Sequence, residues 1–184
     1  MSIIIKSLSE LFDKLSLNYK IVSDDKLRID KFSSNWNNHE LVDLYDDGVR
    51  DNTLGVSVDA DYFCQKHLNS LQYYFENEKT IYKNVLSRLL NDWESFIDGI
   101  TNEELREEYG LGETVDEKYL KQHIKLIGIS TTKCSSPVDD EYACIELDFE
   151  LSWEEEHGLR CLVHKDKVSK FYEGGAWLEC EDFK

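Results

Sequence analysis

Ile145-Glu-Leu-Asp-Phe-Glu-Leu-Ser-Trp153 decides the fold class. Ile145, Leu147, Phe149, Leu151 and Trp153 alternate with Glu146, Asp148, Glu150 and Ser152. A period of two over nine residues is the signature of a strand with one apolar and one polar face. The polar face carries three carboxylates, so it is expected to meet water or a basic partner.

Strand patterns continue on both sides. Upstream, Ile124, Leu126 (with Ile127) and Ile129 predict one strand. Downstream, Gly158 through Val163 and Lys167 through Tyr172 predict two more, with Asp166 after Lys165 as the turn. Near the start, Tyr19–Val22 and Lys26–Phe32 flank Ser23-Asp24-Asp25 and read as a hairpin. Leu41, Leu44 and Tyr45 suggest an extended segment, and Leu54, Val56 and Val58 a further strand.

Helices fill the middle. Ser7-Leu-Ser-Glu10 has the capping-box pattern ahead of Leu11, Phe12 and Leu15. Asp59 is placed to cap a helix with Phe63, His67, Leu71, Tyr74 and Phe75. Asn77 is placed to cap a second, with Ile81, Val85, Leu86, Leu89, Trp93, Phe96 and Ile97 at spacings of three and four and Gly99 as the stop. Thr101-x-x-Glu104 and Thr114-x-x-Glu117 each predict a short helix, with Gly110 and Gly112 between them. Strands, then helices, then strands predict one α+β domain over residues 1–184, an antiparallel sheet packed on a helical layer.

The bulk numbers set limits. The chain has 184 residues, 41% hydrophobic and 12% aromatic, enough for one core. One proline, Pro137, and nine glycines leave no Pro/Gly-rich linker. Thirty-eight acidic residues against 21 basic ones give a net charge of −17. Such a field repels nucleic acids and anionic membranes and attracts basic proteins or cations. Five cysteines (Cys64, Cys134, Cys144, Cys161, Cys180) without a C-x-x-C spacing argue against a secreted disulfide framework. Met1–Lys6 holds three consecutive apolar residues, too few for a signal-peptide core, so the expected compartment is the cytoplasm.

Chemistry-bearing groups gather at Glu154-Glu-Glu-His157-Gly158. One reading is a metal-assisted hydrolase using Glu154, Glu156 and His157. Against it, only Glu155 and His157 share a side in an extended chain, and the spacing differs from His-Glu-x-x-His. The simpler reading is a strand-to-strand connection in which Gly158 supplies an unusual backbone angle. His39, His67, His123 and His164 form no H-x-H or H-x-x-x-H, so no metal site and no cofactor are expected. His67 reads as a core histidine, and Cys64, Cys144 and Cys161 read as small hydrophobes rather than nucleophiles. Asp24-Asp25 and Asp46-Asp47-Gly48 do not continue into a calcium loop. Trp93 and Trp153 read as core, and Trp36 and Trp177 as loop caps or interface anchors.

The stretch Tyr142 to Leu159 resembles a family of uncharacterised bacterial domains sharing a strand that runs into Trp-Asp/Glu-x-Glu-His-Gly-Leu. Gln65 and Asn77-Glu-Lys-Thr-Ile-Tyr82 resemble that family's helical midsection, and the likeness spans about residues 54 to 175. Similar Glu-His-Gly strands occur in immunity-like proteins, which neutralise toxins in the producing cell. The resemblance implies a bacterial origin and, by analogy, an acidic inhibitor of a basic toxin. The expected function is therefore non-catalytic binding of a basic protein. Its candidate contact residues are Glu146, Asp148, Glu150, Glu154, Glu155, Glu156, His157 and Trp177.

Overall fold

The computed structural model describes residues 2–23, 26–29, 54–59, 61–93, 107, 115–132, 141–152 and 154–173. In chain order these form α1 (Ser2–Lys14), β1 (Tyr19–Ser23), β2 (Lys26–Ile29), β3 (Leu54–Ser57), α2 (Gln65–Asn91), α3 (Glu117–His123), β4 (Ile124–Thr131), β5 (Ile145–Leu151), β6 (Glu154–His164) and β7 (Lys167–Glu173). The expected features at Leu41–Tyr45, Asp46–Gly48, Gly99, Thr101–Glu104, Gly110 and Gly112, and at Trp36, Trp153 and Trp177, lie outside the described residues.

Among the described residues the strands form one seven-stranded sheet in sequence order. The fold is α+β, as the element order predicts. Among the described residues five of the six strand pairs are antiparallel, and β3–β4 is parallel, with Val56 opposite Ile129. A parallel pair needs a long crossover, and the chain between β3 and β4 carries α2 and α3.

One sheet face is apolar. β5 shows the expected alternation, with Ile145, Leu147, Phe149 and Leu151 buried and the residues between them half-buried. These four join a core with Leu54, Val56, Leu126, Ile129, Leu159, Cys161 and Val163 from other strands. The helices complete it: Leu8, Leu11 and Phe12 from α1, Leu71, Tyr74, Ile81, Val85, Leu86 and Leu89 from α2, and Leu120 from α3. α2 touches β5 and β7, α1 touches α2, and α3 touches β4. Burying each large side chain of β5 contributes roughly 2 kcal/mol of transfer free energy.

Local rules explain most element boundaries and correct several expectations. α1 begins at Ser2, so Ser7 and Glu10 lie inside it rather than capping it. It ends with Ser16 left-handed at φ 57 and the Leu17 amide bonded to the Phe12 carbonyl at 2.9 Å. The two expected central helices are one helix with a kink at Asn77 (φ −121, ψ 15). The Asn77 side chain donates to the Tyr73 carbonyl at 2.9 Å, so the residue bends the helix instead of starting a new one. Asp59 is not the cap of α2: its Oδ1 accepts from the Asp61 amide at 2.9 Å in a turn, and the N-cap is Cys64. The N-cap of α3 is Asp116 rather than Thr114, its carboxylate accepting from the Tyr119 amide at 2.7 Å.

Two bulges set the register. In β4 the partners step from Leu126↔Phe149 to Gly128↔Asp148, leaving Ile127 extra. This keeps Leu126 and Ile129 on one face despite their odd spacing. In β6 the partners step from Leu151↔Glu154 to Phe149↔Leu159. The segment Glu154–His157 is therefore the first part of a strand, not the expected connection. Gly158 turns the backbone at φ +65, and a Cβ there would lie 2.6 Å from the Phe149 carbonyl oxygen.

Gly158→Ala therefore suffers both a left-handed backbone and a steric clash. We expect it to lose about 2 kcal/mol or more in urea unfolding. Gly55→Ala, whose added Cβ would sit 3.5 Å from its nearest neighbour, is the control and should lose much less. Equal stability of Gly158→Ala and wild type would refute this account of the bulge.

Candidate functional site: the outer face of the acidic strands

The outer face of the sheet is built in cross-strand rows. One runs Gly55, Gly128, Asp148, Arg160, Tyr172, and the next runs Ser57, Ser130, Glu146, Leu162. Small residues from β3 and β4 thus lie beside carboxylates from β5, and β6 brings a guanidinium up to those carboxylates.

Arg160 bridges two of the candidate contact residues. Its Nε donates to Asp148 Oδ1 at 3.3 Å, and its Nη1 lies 3.5 Å from Glu146 Oε1. Ser130 Oγ donates to the same Glu146 oxygen at 3.4 Å. The face expected to meet water or a basic partner is partly enclosed by the chain itself: the Glu146 side chain is only 16% exposed, and Asp148 and Arg160 are each 31% exposed. Leu162, opposite Glu146, is fully buried. Burial pushes both carboxyl groups above their ordinary values. Arg160 opposes that rise, while Asp148 adds to it at Glu146 and Glu150 adds to it at Asp148.

Glu150 stands opposite Lys125 across the β4–β5 pair and is half-buried. Glu154, Glu155, Glu156 and His157 follow on β6, next to β5 in the sheet; their side chains lie outside the described residues, as does Trp177. β5 and β6 are adjacent, so the backbone of the 154–157 segment runs beside the end of β5 that carries Glu150, with Glu154 opposite Leu151.

The other nucleophilic and titratable groups serve the fold. Cys161 is fully buried, and burial followed by the Glu146 charge pushes its thiol far above the ordinary value. His67 is buried with both nitrogens engaged: Nδ1 accepts from the Cys64 amide at 3.1 Å, and Nε2 lies 3.0 Å from the Thr132 carbonyl oxygen, to which it donates. Among the described residues no three His, Cys, Asp or Glu side chains are grouped to hold a metal ion.

Two polar clasps went unread in the sequence. Ser70 Oγ donates to the Ala143 carbonyl at 2.7 Å and accepts from the Ala143 amide at 2.9 Å, tying α2 to the entry of β5. Asn69 adds a bond to the Glu141 carbonyl at 2.9 Å. His123 holds the β5–β6 turn: its carbonyl accepts from the Ser152 amide at 3.0 Å and its Nδ1 meets Ser152 Oγ at 2.5 Å. Its ring stacks on Tyr119 at 4.2 Å, and burial lowers its pKa. Ser70 offered a faint signal, a polar residue among the apolar positions of α2; Ser152 and His123 are 29 residues apart and offered none.

Residues 24–173 match the model of a family described as a domain of unknown function, DUF6985. The chain belongs to this family. The DUF6985 match takes in all of β2 to β7, including Glu146, Asp148, Glu150 and Glu154–His157, and ends before Trp177. No curated protein matches the chain, and neither does any solved structure.

The raised Glu146 carboxyl has a definite pH consequence. The folded state holds its proton more tightly than the unfolded state does. The contribution of Glu146 to stability therefore falls as pH rises from its ordinary value of 4.5 through the raised one. Glu146→Gln should match or exceed wild type in thermal unfolding at pH 7.5, by up to about 1 kcal/mol, and lose that advantage at pH 4. A variant clearly less stable at pH 7.5 would mean that the Arg160 pairing outweighs the cost of burial.

Proposed function

We propose that this domain is a binding module for a basic protein, in its most concrete form an immunity-type inhibitor that covers a basic toxin. One observation carries the reading. β5 supplies Glu146, Asp148 and Glu150 and β6 supplies Glu154, Glu155 and Glu156, against Arg160 as the only lysine or arginine in either strand. The strands are hydrogen-bonded neighbours, so the carboxylates concentrate in one part of a chain already at −17.

The geometry divides the labour. Glu146 and Asp148 are engaged by Arg160, which lowers their reach toward an incoming cation. Glu150 and the 154–156 run extend the negative charge along the two strands toward the β5–β6 turn. Such a field raises the rate of encounter with a cationic surface more than it raises the lifetime of the complex. The part of this surface on β5 also costs little ordering on binding, because its backbone is fixed by the ladders with β4 and β6.

The test is capture from the native lysate on the tagged protein at low and moderate salt, read by mass spectrometry. One basic protein should be recovered near stoichiometrically at low salt and should diminish as salt rises. The triple variant Glu154→Lys, Glu155→Lys, Glu156→Lys should slow association with that protein about tenfold or more while keeping the fold. Capture indifferent to salt and to charge reversal would contradict the proposal.

A further inference from the structure

We draw no further inference here: the strongest candidate, the exposed Cys64 thiol at the N-terminus of α2, 3.5 Å from His67 Nδ1, is a single cysteine whose imidazole neighbour is already committed to the Cys64 amide and the Thr132 carbonyl, and nothing among the described residues points to a ligand there.

Discussion

A single strand has to satisfy two environments. Along β5 every odd residue from Ile145 to Leu151 is buried against the helices, and every even residue is turned to the outer face. Because side chains alternate strictly, a slip of one residue would drive three carboxylates into the core and four large apolar groups out of it. That penalty fixes the register of β4 and β6, which flank β5 on its two sides. The remaining elements build on that register: α2 lies on β5 and β7, and α3 leads directly into β4.

The same constraint explains where the backbone departs from regularity. The extra residue at Ile127 restores the inward face of β4, and the bulge ending at Gly158 restores that of β6. Beyond Gly158, Leu159 and Cys161 face the core opposite Phe149 and Leu147, and Arg160 falls opposite Asp148. Arg160 thus arrives among the carboxylates through the register that the core imposes. Its bonds to Asp148 and Glu146 partly compensate the cost of half-burying two acids side by side. The polar clasps act at the ends of the same strand, Ser70 at its entry and His123 at its exit.

These relations were unequally visible in the sequence. The alternation of β5 was plain, since period two needs no long-range information. Asn77 was legible as a break in helical pattern, but whether it starts or bends a helix depends on the chain around it. The core role of His67 was legible from its place among apolar helix positions; its partner, the carbonyl of Thr132, was not. The acidic face was legible as a charge pattern. The bridge from Arg160 was hidden, because local sequence does not show that a bulge sets Asp148 opposite Arg160. The same limit hid the β3–β4 pairing, which joins segments separated by α2 and α3 among the described residues.

β5 anchors the fold on one face while carrying charge on the other. Native-state hydrogen exchange followed residue by residue tests it most directly. The amides of β5 and of the segments of β4 and β6 paired with it should exchange most slowly, at the rate set by global unfolding. If the amides of α2 or of the β1–β2 hairpin outlast those of β5, the strand is not the anchor, and the claim is contradicted.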